Sequence, residues 1–553
     1  MKRILSLLFI AVFSLSLFAN RSKNNFEISK NLDIYNAVFQ QLYLHYVDTI
    51  NPETAIRWSI DEMLNKLDPY TNYLSESEKR DFRQRITGEY GGVGAIISQR
   101  GEHIIITELY EGMPADIAGV RVGDAIVEID GEKMNGKTTS EVSELLKGVP
   151  KTTVRVAFSR AGATRPLVKE IRREQIKMSP VVYHGIIGEG VGYIYLSSFT
   201  RNNTTDEVRK ALLDLKRNHN IQSLVLDLRN NPGGDLEEAV GVSNLFLPRG
   251  VEIVSNRGKN RQSNRTYRTS REPVDAQIPL TVLVNGGSAS ASEIVAGALQ
   301  DFDRAVIIGS RTVGKGLVQA ERPVSYNGSL LVTTARYYIP SGRSIQAIDY
   351  AHRNADGSAT VIPDSLTREF RTAGGRTVRD GGGIKPDIEI KTPEELNITY
   401  RLLADWHIFN FATIYCQNHR EIPLIEDFVF TDEDFENFKR YLQENNFSYS
   451  LRSSDLLNRL KETVKIEGYA DRASEALEAL KTALQPDTNT DLDIFKDDIV
   501  RMLSAEIAKR FYYQKGEIIE MLKRDEASKK AIEILQNNTE YQRILSPVDP
   551  QTP

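Results

Sequence analysis

Between Pro279 and Glu321 the chain alternates short apolar runs with glycine-rich turns. Leu280 to Val284 is an unbroken apolar run of the length expected for a buried strand. Asn285-Gly286-Gly287 follows, a turn that tolerates positive φ. Ser288, Ser290 and Ser292 then alternate with Ala289 and Ala291, and Glu293 leads a helical pattern of Ile294, Val295, Ala298 and Leu299. A second apolar strand, Ala305 to Ile308, precedes a turn carrying Gly314-Lys315-Gly316. The pattern predicts strand, turn, helix, strand, turn, with serines clustered at a helix N-terminus and a lysine set between glycines.

The same reading divides the rest of the chain. Residues 24–85 read helical: Leu32, Ile34, Val38, Leu42 and Tyr46 recur near helical spacing, and Pro52 to Leu67 forms a second amphipathic run. Their aromatic residues fit a core or a dimer face. Residues 88–165 change to short strands around Gly91-Gly92-Val93-Gly94-Ala95, with a helix expected from Ser140 to Lys147 and a strand from Thr153 to Phe158. Residues 166–395 read as an α/β domain, with strands Val191 to Leu196 and Leu224 to Leu228 separated by a helix from Thr204 to Asn218. Residues 396–546 carry continuous helical patterning, with helix starts expected at Thr431 and Ser453. The stripes Leu456, Leu457, Leu460, Val464 and Ile499, Met502, Leu503, Ile507 predict core faces, and a platform for dimerisation or an adaptor is an alternative use of these helices.

Composition narrows the function classes. The 553 residues allow three or four domains, and a net charge of −5 argues against nucleic acid as the main partner. The densest basic run, Arg257 to Arg271, lacks apolar periodicity and predicts a solvated loop. Residues 1–19 read as a signal peptide: Lys2 and Arg3 precede an apolar run, Ile4 to Phe18, that is short for a membrane span. Export to a bacterial periplasm is expected, with an uncleaved anchor as the alternative because Leu17 is a mediocre residue at the −3 position. Cys416 is the single cysteine, so no internal disulfide staples the fold. The seven histidines are scattered with no metal-ligand spacing, and neither a metal nor a cofactor is expected.

The chemistry suggested by the opening stretch is a serine nucleophile with a lysine base. A serine hydroxyl is weak until a neighbouring base takes its proton, and lysine serves only where its surroundings disfavour the ammonium form. Free N–H groups at the start of the following helix can hold an oxyanion. Two rivals share these residues. Ser290 and Glu293 also spell a capping box. Gly309 to Lys315 matches most of a P-loop, but Gly316 stands where a magnesium-binding hydroxyl is needed. After the second strand of the α/β domain, Gly233 and Gly234 form either an ordinary turn or a second oxyanion donor.

In residues 88–165, GGVGA, Met113 to Gly119 and Val122 to Gly131 resemble a PDZ domain. Gly92, Val93, Gly94 and Ala95 then stand for the carboxylate-binding loop, whose N–H groups would receive the C-terminal carboxylate of a peptide added as a strand. With Leu226 to Gly234, Gly287 to Ile294, Gly309 to Gln319, Tyr338 to Gln346 and Gly383 to Asp387 in order, residues 30–390 resemble the carboxyl-terminal processing (tail-specific) serine peptidases of Ser/Lys type. The resemblance implies an α/β catalytic core of the crotonase/ClpP-like kind, an N-terminal helical segment, an inserted PDZ domain of β-rich α+β class and an all-α C-terminal region. It implies Ser290 as nucleophile, Lys315 as general base and Gln319 as the residue orienting the lysine. It also implies an oxyanion hole from Ala291 and either Gly233 or Gly234, and protein or peptide substrates with apolar C-termini. Asp301 matches an acidic family position and is expected to hold the end of its helix. A catalytically inactive PDZ scaffold binding protein C-termini is the alternative function.

Overall fold

The strands Val191–Leu196, Ser223–Asp227, Leu280–Val284, Val306–Gly309 and Ile388–Glu389 lie parallel in that order, and Val181–Gly188 closes one edge antiparallel. A computed structural model describes residues 25–354, 358–391 and 398–547. The expected signal peptide, residues 1–19, lies outside them. Every residue of Ser223–Asp227 and of Leu280–Val284 is buried, which is why these strands read as continuous apolar runs: both faces of the sheet are covered. Leu224, Leu226, Val282, Val284 and Ile307 meet the helices Thr204–Asn218, Leu236–Asn244 and Ala291–Asp301 on one side. The alternate residues Val225, Leu283, Val306 and Ile308 meet Ala527, Ala531, Ile534 and Tyr541 on the other. The second layer therefore comes from the C-terminal end of the chain, the helices Glu526–Gln536 and Asn538–Leu545.

A smaller sheet pairs Ala95–Arg100, His103–Leu109, Ala125–Ile129, Thr153–Ser159 and Leu167–Arg172 in that order. It takes in residues beyond the expected boundary at 165. The helix Thr139–Leu146 opens with a full capping box between Thr138 and Glu141. Ala95–Arg100 is an edge strand of this sheet.

The described chain falls into two units. The larger holds residues 77–318 and 334–553, hence both sheets and the C-terminal helices. The smaller holds residues 1–76 and 319–333. Within the smaller unit, residues 25–45 are helical, Pro52–Asn65 is a helix, and a short strand, Asn72–Leu74, pairs antiparallel with Ser329 to Leu331. Leu32, Ile34, Val38, Leu42 and Tyr46 are exposed there, as is Trp58, so of the core and the dimer face expected for this segment the core is not formed by them among the described residues.

Three further expectations change. The basic run Arg257 to Arg271 is a hairpin rather than a loop: Glu252–Gly258 pairs with Arg265–Arg268, and Arg257 and Arg265 lie over the rings of Tyr338 and Tyr267. Arg265–Arg268 is the outer strand of its sheet and mostly exposed, so it needs no apolar alternation and periodicity could not reveal it. Thr431 caps its helix as expected, but the next one starts at Arg452 behind Leu451, one position ahead of the predicted Ser453–Asp455 start. In that helix Leu457 is buried while Leu456 and Leu460 are exposed, whereas Ile499, Leu503 and Ile507 do fill a core.

Candidate active site

The turn between Leu280–Val284 and Ala291–Asp301 places three serines in three different environments. Ser288 is buried and donates to the Leu228 carbonyl at 2.8 Å, and Ser292 is buried and donates to the Asn231 carbonyl at 2.9 Å. Ser290 is half-buried, the only one of the three with access to solvent. Its backbone sits at φ 54°, ψ −110°, a conformation that a non-glycine residue holds only under constraint from its surroundings. Strand, sharp turn and buried helix present the serine as a nucleophile elbow does.

Glu293, in the first turn of that helix, is fully buried. Its Oε2 accepts the N–H of Ser290 at 2.9 Å and of Lys315 at 2.9 Å. Its Oε1 accepts the Gly314 N–H at 2.7 Å and the Thr312 hydroxyl at 2.5 Å. Burial pushes this carboxyl above its ordinary range, and the four donors pull in the opposite direction. Glu293 thus makes its half of the capping box that sequence offered, on the Ser290 N–H, and in addition clamps the serine turn to the lysine turn. Tyr337 adds a second tie: its hydroxyl donates to the Lys315 carbonyl and lies 3.3 Å from the Ser290 carbonyl. Nothing in the sequence singled out Tyr337.

The Gly309–Gly316 turn is followed by the strand Leu317–Pro323 and not by a helix, so no helix N-terminus is there to receive phosphates. The turn is stitched to its surroundings by Val313 N–H on Ser288 (3.1 Å), Gly316 N–H on the Gln346 side chain (2.8 Å) and Ile384 N–H on Thr312 Oγ1 (2.7 Å). Four motifs widely separated in sequence converge here.

The fifth motif forms the neighbouring loop. Asn231 holds it, donating to the Leu196 carbonyl at 2.8 Å, accepting the Ala289 N–H at 3.0 Å, and turning its side-chain oxygen onto the Gly233 N–H at 2.9 Å. Gly233 adopts φ 96°, and a Cβ there would lie 2.7 Å from the Ala289 carbonyl and 2.9 Å from Ser290 Cβ and the Ala291 nitrogen. Only glycine brings this backbone so close to the serine. Among the described residues the N–H groups of Ala291 and Gly234 have no protein partner.

Asp301 ends the helix in a buried ion pair with Arg343 at 2.9 Å and accepts the Ser341 N–H at 2.9 Å. Gln319 belongs to the smaller unit, where its side chain donates to Thr333 at 3.3 Å. In the smaller sheet, the Val93 carbonyl accepts from Ala115 and the Gly94 carbonyl from Tyr110. Gly92 and Gly94 flank buried Val93, and Ala95 begins the edge strand. The ring of Tyr90 covers Gly92, where a Cβ would lie 2.6 Å from it, and burial raises the Tyr90 hydroxyl above its ordinary value, with the Gly94 backbone opposing.

Comparison with known proteins finds similarity throughout these parts. The family description "Peptidase family S41" matches residues 190–352, "PDZ domain" residues 105–160, and "Probable PDZ-protease, C-terminal helical domain" residues 398–535. The chain is 37% identical over 342 residues to a carboxy-terminal-processing protease of Bartonella bacilliformis, covering 61% of this chain and 77% of that protein. It is 32% identical over 374 residues to a probable CtpA-like serine protease of Staphylococcus aureus, covering 66% and 67%. A solved photosystem II D1 C-terminal processing protease is 29% identical, with 64% of this chain and 86% of that one covered at a TM-score of 0.35.

Proposed function

This chain belongs to the S41 peptidases and is a serine protease of the carboxy-terminal-processing kind, with a PDZ domain and a C-terminal helical domain; from that premise we propose that Ser290 is its nucleophile and Lys315 its general base. The neutral Lys315 amine takes the hydroxyl proton as Ser290 Oγ attacks the scissile carbonyl carbon. The Ala291 N–H and a glycine N–H of the Gly233–Gly234 pair hold the oxyanion, a contribution of roughly 3–4 kcal/mol for one donor in comparable sites. Collapse breaks the C–N bond, the lysine proton leaves with the amine, and water then releases the acyl group from Ser290. Gln319 takes the lysine-orienting role that family resemblance gives it. Gly92, Val93, Gly94 and Ala95 receive the C-terminal carboxylate of a protein substrate through backbone N–H groups, the peptide adding beside the edge strand.

One observation carries this reading: the single half-buried serine of the turn is tied, through Glu293 and Tyr337, to the backbone of Lys315. The test is cleavage of an unfolded protein with an apolar C-terminus. Ser290→Ala and Lys315→Ala abolish cleavage, an acyl-enzyme is trapped on Ser290 by mass spectrometry, and the rate rises with pH as the amine loses its proton. Equal slow degradation by wild type and Ser290→Ala, with peptide binding retained, establishes a PDZ scaffold instead.

The helices flanking the parallel sheet support a crotonase/ClpP-like reading of the core. Lys2, Arg3 and the apolar run after them support export to a periplasm. The exposed apolar residues of the smaller unit, Leu32, Val38 and Trp58 among them, support a homodimer contact there.

A further inference from the structure

The loop that brings Gly233 against the serine opens with Arg229, and the guanidinium of Arg229 is shared between two carboxylates. Asp227, in the sheet, accepts its Nε and Nη2, the shortest contact being 2.6 Å. Asp525 accepts Nη1 and Nη2, both at 2.8 Å. Burial works against the Arg229 charge, and the two carboxylates more than offset it, holding the guanidinium above its ordinary range. Asp525 likewise is raised by burial but ends below its ordinary value through Arg229 and Ser528.

Asp525 is not part of the peptidase domain by sequence. It is the N-cap of the helix Glu526–Gln536, accepting the Ser528 N–H at 3.1 Å. The helix before it, Lys496–Leu522, is broken at Tyr512 and Tyr513 and grips the small β domain. Tyr513 donates to Asp116 at 2.8 Å, and Lys509 pairs with Glu108 at 2.9 Å. Asp525 is therefore anchored on both sides, by the helix packed under the sheet and by the helix held on the β domain.

We propose that Asp525 is a positioning residue for the peptidase reaction, acting through Arg229 to set the Arg229–Gly234 loop against Ser290. This rests on the reading of Ser290 and Lys315 given above. Asp227 alone fixes one edge of the guanidinium, and the second bidentate pair fixes its plane. Asn230 needs that constraint: it stands at φ 58° and exchanges hydrogen bonds of 2.9 Å with Asn285 in the serine turn. Gly233, at φ 96°, follows within the same short loop. Every other tie on this loop comes from the peptidase domain. Asp525 is the contribution of the helical domain among the described residues.

Asp525→Asn and Asp525→Ser test this, because both residues cap helices as well as aspartate does while giving up the charge. Steady-state cleavage of a fluorogenic peptide by the full chain is measured beside wild type, Asp525→Glu and Ser290→Ala. The expected result is a roughly tenfold fall in kcat for the Asn and Ser variants, smaller than the 10²–10³ of losing an oxyanion donor outright. KM stays at the wild-type value, the melting temperature falls only modestly because Asp227 still pairs with Arg229, and Asp525→Glu recovers part of the rate. Wild-type kcat in both variants beside a dead Ser290→Ala overturns the proposal alone, as does a loss of kcat that only tracks a lowered melting temperature. Wild-type cleavage by Ser290→Ala overturns the reading of the site itself.

Discussion

The carboxylate of Glu293 accepts the backbone N–H of Lys315 at 2.9 Å, joining a helix to a turn that lies beyond the next strand. The same oxygen holds Ser290. The proposed base and nucleophile are thus aligned through their backbones by a side chain that makes no proposed contact with substrate.

Glu293→Gln replaces one acceptor oxygen by a donor amide, so at least one of the four bonded groups loses its partner inside the protein. Leaving a buried donor unsatisfied costs about 1–3 kcal/mol. The expected outcome is a lower denaturation midpoint together with a fall in kcat, read by denaturant titration and peptide cleavage. Retention of both would show that the clamp is not needed.

Gly233→Ala forces a methyl group into a backbone at φ 96° that already lies against Ala289, Ser290 and Ala291. The loop must move away from the serine, since the atoms in contact are mostly backbone. Cleavage is expected to fall by 10²–10³, the scale of a lost oxyanion donor, while circular dichroism remains native. Binding of a C-terminal peptide to the β domain, followed by fluorescence polarisation, should be unchanged.

Asp301→Asn leaves the Arg343 guanidinium buried, 1% exposed, without its carboxylate. Breaking a buried pair by removing one partner costs about 3–5 kcal/mol. A marked drop in melting temperature is expected, and Ser290 reactivity should vanish only where the protein unfolds. Asp301→Asn with wild-type stability would refute the structural role.

His407 sits half-buried against the rings of Tyr441 and Phe447. Burial lowers its imidazole below the ordinary value, with Asp405 opposing. The unfolded chain therefore takes up a proton first as pH falls below roughly 6.5. The stability contributed by the neutral ring is complete above that pH and declines as the solution is acidified. His407→Phe should flatten the change in melting temperature between pH 7.5 and 5.5, followed through Trp406 fluorescence in a Trp58→Phe background.

The serine turn, the lysine turn, the glycine loop and the strands of the parallel sheet were legible in the chain because their signals are local. Continuous apolar runs mark strands covered on both faces, and paired glycines mark backbones that no side chain tolerates. Order along the chain, matched to a known family, then assigned roles to Ser290 and Lys315. What local pattern could not supply was the partner of each exposed or buried group. The strand Arg265–Arg268, paired with Glu252–Gly258, hid inside a basic stretch, because an exposed edge strand has no apolar period. Leu456 and Leu460 lie on a helical face that stays exposed. Glu293 reads the same in sequence whether it caps a helix or clamps two turns, and Asp525 is a mere helix start until Arg229 arrives from far along the chain. Only the tertiary structure brings those groups together, since hydrogen bonds and ion pairs depend on distance in space and leave no period in the sequence.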